Sequence, residues 1–456
     1  MPYPFWDVGI GYGILMAIFA VVHVFVSHFA IGGGLYLVVA EGSARASGDE
    51  QRLEFVRRLS KFFVLTTVVF GALTGVGIWF IIGLLNPQAT EALIHNFVWG
   101  WAIEWTFFII EILAALLYFY GWKHMSAKGH MMLGWIYFWS AWLSLVVITG
   151  IITFMLTPGA WLEDGNFWSG FLNPTYWSSV VLRTGICLLM AGLFTLFFAS
   201  GYKTDDFKVR LIRVNGAWAI AGLLVAGLAF FWYRSAIPAA MYEMAAQRMT
   251  IPATALHVLQ IASYALLGAL FFFAIGMPRA YGRPLAIVML VLGLIWFGAF
   301  EWFRESARKP YVITDYMYAN ALRVDHEDRY DGPLLDHIRF RTGDDGADLF
   351  RYSCQHCHQL DGYNPVKFAF DGTNEDYVIA TIKSLHEMRA VMPKFMGTDE
   401  EAAVLGKWLW EQSEQRPLTE MYPDLQGKAL GEKVYEVRCS RCHVIGGYND
   451  KTKAMS

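Results

Sequence analysis

Trp101-Ala-Ile-Glu-Trp-Thr-Phe-Phe-Ile-Ile-Glu-Ile-Leu-Ala-Ala-Leu-Leu-Tyr-Phe-Tyr-Gly-Trp122 runs for 22 residues with two charges, the acids Glu104 and Glu111. A helix needs about 20 apolar residues to cross the hydrocarbon core of a bilayer, so this stretch is long enough to span. Acids at that depth are costly, which marks them as candidates for chemistry. They stand seven residues apart, on one helix face and about 10 Å from each other along the axis.

Similar apolar stretches flank it on both sides. Eight spans are expected, near 11–40, 60–85, 96–121, 132–156, 177–200, 212–234, 255–277 and 284–303. The composition agrees, with 56% hydrophobic and 16% charged residues, against about 25% charged in soluble domains. The net charge of −3 carries no basic excess that would suggest nucleic acid. Met1–Gly9 lacks a positive n-region, so no cleavable signal is expected. The fold class is therefore all-α, an eight-helix transmembrane bundle followed by an extramembrane domain.

The loops differ in charge. The first connection carries Arg45, Arg52, Arg57, Arg58 and Lys61, the third Lys123 and Lys128, the fifth Lys203, Lys208, Arg210 and Arg213, and the seventh Arg279 and Arg283. The opposite loops are poor in basic residues: Asn86–His95 has no Lys or Arg, and Thr157–Trp177 is acidic. The odd loops are thus cytoplasmic, and eight spans leave both termini outside.

A second signal agrees. Cys354-Gln-His-Cys357-His358 and Cys439-Ser-Arg-Cys442-His443 are C-x-x-C-H motifs, in which two thiols hold a haem covalently and the His binds its iron. Such attachment occurs on the outer side of an energy-coupling membrane. A four-thiolate zinc site is the weaker reading, since a His directly after the second Cys has no use there. The surroundings of the two motifs repeat at an offset of 85 residues, from Gly346 and from Gly431. The expected division is 1–307 for the bundle, 308–345 for a linker or arm, 346–425 for a monohaem domain and 426–456 for a truncated second haem segment. The first copy resembles class I cytochrome c: Val391-Met392-Pro-Lys-Phe395 matches the segment that supplies the second axial ligand, Met392, and Asp399–Gln412 matches the closing helix. Thirteen residues follow His443, too few for such a helix. The second ligand there is open between Met455, His386, His356 and a partner chain.

Within the spans, His23, His28 and His257, the acids Glu104, Glu111 and Glu301, and Arg183 are the polar groups to explain. His23 and His28 are five residues apart, about 140° around a helix, so they do not bind one iron together. Glu104 and Glu111 read as a proton path, as one ligand and one proton donor, or as partners of Arg183. Cys187 reads as a small buried hydrophobe.

These residues resemble subunit I of the cytochrome bd oxidase family over roughly 5–310. Ala20-Val-Val-His23-Val-Phe-Val with Gly32–Gly34 and Glu41 resembles its first helix. Trp101-Ala-Ile-Glu104 and Glu111–Trp122 resemble its third, and Trp296-Phe-Gly-Ala-Phe-Glu301-Trp-Phe-Arg304 its late Trp-Phe helix. The resemblance implies that His23 and Glu301 serve the high-spin haem pair and that Glu104 and Glu111 lie there or on its proton route. It also implies a second membrane subunit. Two departures stand out. Arg183 occupies the place of the family's fifth-helix low-spin ligand, and arginine cannot bind iron. The family's quinol loop has no counterpart, because Arg234–Pro252 is a short connection. His28 and His257 are additions that would hold a haem in new positions, and Arg183 would pair a propionate.

The expectation is a bacterial inner-membrane, multi-pass haem oxidoreductase. It carries two covalent haem c and non-covalent haem b or haem d, and takes electrons from periplasmic cytochrome c to reduce oxygen. The alternative is an electron relay between a quinol or partner subunit and periplasmic cytochrome c. Nitric oxide reduction would use the same site. Expected partners are the membrane, a second bd-like membrane subunit or other respiratory subunits, and no nucleic acid.

Overall fold

The computed structural model describes residues 6, 8–325, 332–388 and 391–440. Among them, eight helices are long and apolar enough to cross a membrane: α1 Tyr12–Ser47, α2 Glu50–Leu85, α3 Val98–Gly121, α4 Ala127–Leu156, α5 Tyr176–Ala199, α6 Asp206–Ala236, α7 Ile251–Gly276 and α8 Arg283–Ala307. The eight expected spans are all present. Several helices run on past their apolar stretch into the basic loops. Thus α1 and α2 are separated by Gly48 and Asp49 alone; Gly48 turns the chain at φ +64°, and the Asp49 carboxylate accepts from the Arg52 amide at 2.9 Å. Ser126 and Asp205 cap α4 and α6 in the same way. The start of each of these helices is fixed by a side chain that satisfies an otherwise orphaned N–H.

The chain divides into two compact units, Ile18–Trp79 with Leu93–Ala307, and Met1–Ala17 with Phe80–Ala92 and Arg308–Ser456. In the first, α5 is the central helix, with 78% of its apolar window buried, whereas α3 has 17% and lies at the edge. Small residues let the helices approach. A Cβ at Gly222 of α6 would overlap the α5 backbone at Leu189, and one at Gly32 of α1 would overlap the Cys187 carbonyl. Cys187 is buried.

The second unit has its own core of Tyr318, Leu322, Leu349, Phe350, Val378, Leu405 and neighbours. It is built from a small hairpin, β1 Tyr311–Ile313 and β2 Met317–Tyr318, then α9 Asp345–Ser353, α10 Glu375–Met388, α11 Asp399–Gln412 and α12 Gly427–Val434. The helix expected over Asp399–Gln412 is present and opens with a capping box of Thr398 and Glu401. The stretch expected as a linker or arm contributes buried Leu334, Leu335 and Ile338 to this core. Glu401 also accepts from the Leu334 and Leu335 amides at 2.9 and 2.7 Å. The polar composition of the arm hid those anchors. Within the same unit the ends of α1 and α2 meet this region: Tyr12 packs edge-on to His356 at 5.5 Å, and Asn86 Nδ2 donates to the Ala319 carbonyl at 2.9 Å.

Candidate haem sites

His23 and His28 leave α1 in different directions, as their angular separation requires. His23 Nδ1 lies 3.2 Å from Thr74 Oγ1 of α2. The Thr74 proton is given to the Phe70 and Gly71 carbonyls, so His23 donates from Nδ1 and carries its lone pair on Nε2. Helix α2 is wound wide over Leu65–Gly71, one turn before Thr74. Gly75 leaves space for the ring; a Cβ there would sit 3.0 Å from His23 Cε1.

His28 is 1% exposed. Its Nδ1 donates to the Val24 carbonyl at 2.6 Å, so Nε2 is again the bare nitrogen, and it is buried with no hydrogen-bond partner among the described residues. Its ring lies 5.1 Å from Phe297, and Arg183 and Glu301 act on it electrostatically. Arg183 reaches across from α5 to Glu301 of α8, Nη2 to Oε1 at 2.9 Å, and Arg304 Nε holds the other oxygen at 2.8 Å. Arg183 therefore meets Glu301, and the alternative pairing with Glu104 or Glu111 is not formed. The Arg183 Nε, Arg304 Nη1 and Tyr233 hydroxyl are buried and unpartnered among the described residues. A histidine nitrogen with its opposite N–H anchored, beside three spare donors, fits a macrocycle that needs an axial ligand and partners for its propionates.

The acids of α3 stand apart from this cluster. Ser144 Oγ donates to Glu104 at 3.1 Å, and the Tyr137 hydroxyl lies 3.1 Å from Glu111 Oε1 and 3.0 Å from the Ala30 carbonyl, both from α4. His257 is exposed on α7 and is not brought to the buried cluster. Sequence reasoning missed Tyr233, Thr74 and Tyr137 and gave Arg304 no task.

In the tail, the α9 helix ends directly at Cys354. His358 Nδ1 donates to the Asn364 carbonyl at 3.1 Å, which puts the lone pair on Nε2, the atom an iron takes. Burial pushes the Cys354 thiol up to about 12 and the His356 imidazole down to about 4, so both stay neutral in an apolar surround. That setting suits a haem held by Cys354, Cys357 and His358. The Met392 segment is anchored by His386, whose Nδ1 donates to the Met392 carbonyl at 2.9 Å. Cys439 ends a short wide turn after α12. Cys442, His443 and Met455 lie outside the described residues.

Comparison with known proteins agrees with both halves. The family model for cytochrome bd terminal oxidase subunit I matches residues 14–269, and that for cbb3-type cytochrome c oxidase subunit III matches residues 341–409. The solved bd oxidase from Geobacillus thermodenitrificans shares the fold, with a TM-score of 0.61 at 16% identity over 70% of this chain and 91% of that one. No curated protein matches the chain.

Proposed function

The chain belongs to the cytochrome bd terminal oxidase subunit I family, and we propose that it is an inner-membrane oxidase that takes electrons from periplasmic cytochrome c and reduces oxygen. A haem-binding membrane domain joined to a cytochrome c domain makes it a respiratory electron-transfer protein. Haem c at each C-x-x-C-H motif, and haem b or haem d in the bundle, would supply the redox steps and the iron that meets oxygen.

The observation that carries the reading is the Arg183–Glu301 ion pair. Arg183 stands where the family resemblance expects the low-spin ligand, on the quinol side. Its guanidinium is engaged by a carboxylate and cannot bind iron. Electrons then need another entrance, and the tail supplies one. In the bundle, His23 and His28 would offer Nε2 to separate irons. Arg183, Arg304 and Tyr233 would pair propionates, while Glu301 holds the two arginines in place. Glu104 and Glu111 hold protons beside Ser144 and Tyr137. In the tail, Cys354 and Cys357 would hold the haem covalently, and His358 and Met392 would be its iron ligands. Cys439, Cys442 and His443 would repeat the attachment.

The contacts of the tail with the ends of α1 and α2 support an outward-facing tail, since those ends lie on the side opposite the basic loops. A second membrane subunit is the natural neighbour for the exposed face of α7 that carries His257. The test is oxygen uptake by the purified protein. Reduced cytochrome c should sustain it and quinol should not; robust uptake with quinol alone contradicts the proposal.

A further inference from the structure

The first C-x-x-C-H loop is fastened on both flanks within the unit that holds the tail. Before Cys354, Asn320 Nδ2 donates to the Ser353 carbonyl at 3.2 Å. Behind His358, the chain runs along the turn that starts α1. Gly11 takes φ +89° in that turn, and its amide donates to the Val8 carbonyl at 2.9 Å. A Cβ on Gly11 would touch the Tyr363 side chain at 3.4 Å and that of Gln359 at 3.6 Å. One on Gly362 would sit 3.0 Å from the Gly9 carbonyl oxygen, so two backbones lie close against each other there.

Between these flanks, Tyr12 meets His356. The buried Tyr12 ring, in the first turn of α1, stands edge-on to the imidazole with 5.5 Å between centroids and an angle of 88°, an arrangement that aromatic pairs favour. His356 is the residue directly before Cys357, between the two attachment cysteines. Both thiols would be bonded to the edge of the macrocycle. A residue between them is tied covalently to that edge, so what packs on His356 packs beside the haem. The turn after α2 meets other parts of the tail: Asn86 donates to the Ala319 carbonyl, and Gln88 to the Tyr352 hydroxyl of α9 at 3.5 Å. It is α1 that places a ring against the attachment loop, and α1 then runs unbroken from Tyr12 to Ser47.

We infer that Tyr12 and His356 are the positioning residues through which an electron passes from the haem c of the first motif to α1, a role that deepens the oxidase reading above and rests on it. Electron transfer slows steeply with distance, and it is slower across water than through packed groups, so two rings in contact bridge better than a solvent gap. Tyr12 anchors the loop to the first turn of α1, and His356 carries that anchor to the cysteines. One electron leaves a covalently held iron and arrives at the iron of a non-covalent haem; no bond forms or breaks.

The test uses the full-length protein without oxygen, with a photoexcited ruthenium complex as pulsed donor. Absorbance follows the decay of reduced haem c and the growth of the reduced non-covalent haem. Tyr12→Ala should slow that transfer about tenfold or more, since misplacing reacting groups by about 1 Å can cost about a hundredfold. Tyr12→Phe keeps the ring and should restore the rate. His356→Ala removes the same contact without touching α1 and should slow transfer equally, and the double variant should be no slower than either single one. Covalent haem content and the midpoint potential of haem c should stay unchanged throughout. Should Tyr12→Ala lose its haem c, His356→Ala decides by the same rate. Unchanged transfer in the alanine variants, a fall that Tyr12→Phe does not restore, or additive losses in the double variant overturns the inference. Slowed transfer in variants of a protein that consumes no oxygen keeps the contact and removes the oxidase reading.

Discussion

Arg183 and His28 show what a membrane sequence yields one residue at a time. Each was conspicuous because a polar group within an apolar span is costly, and each lies in the buried cluster. Their partners were not legible: Arg183 and Glu301 are 118 positions apart, and only the packing of α5 on α8 joins them. The tasks of Tyr233 and Arg304 were hidden for the same reason. Replacing Arg183 by Met leaves Glu301 with one of its two arginines, and removing one partner of a buried pair costs about 3–5 kcal/mol. Thermal unfolding of Arg183→Met should show a loss of that order. His28→Gln should lower the non-covalent haem content by about one per chain while the covalent haem is retained, measured as the pyridine haemochrome. Unchanged stoichiometry would remove His28 from the ligand set.

The helices themselves were almost fully legible, because about 20 consecutive apolar residues have few alternatives to a spanning helix. Their ends were not. Hydropathy reports where lipid lies, whereas the helix continues until a cap stops it, as at Gly48 and Asp49. The seven-residue spacing of Glu104 and Glu111 was visible, but the matching spacing of Ser144 and Tyr137 gains meaning only once α4 is known to lie antiparallel beside α3. Close helix contacts make a sharp prediction. Gly346 of α9 lies against Trp408 of α11, and a Cβ there would overlap the indole. Gly346→Val should destabilise the tail by several kcal/mol, by analogy with overpacking that costs roughly 1–3 kcal/mol or more, seen as loss of covalent haem and raised protease sensitivity near residue 346. Normal haem incorporation and resistance would contradict this packing.

Across the whole molecule, composition and two short motifs were enough to place a membrane bundle ahead of a cytochrome c region, and the family comparisons agree. What composition could not show is that Arg308 onward packs together with the ends of α1 and α2 in one unit, since those contacts join distant segments through single side chains such as Asn86 and Tyr12. The division into units predicts separable losses. Cys354→Ser with Cys357→Ser should remove one covalent haem and abolish oxidation of cytochrome c, while the non-covalent haem spectrum of the bundle stays intact. The proposed oxidase needs an iron in the bundle that is open to a small molecule while the tail delivers electrons. The absorption spectrum of the dithionite-reduced protein before and after carbon monoxide reports whether such an iron exists. A shift confined to a non-covalent haem is the result expected; no shift at all would mean that every iron is closed and that the protein is an electron relay.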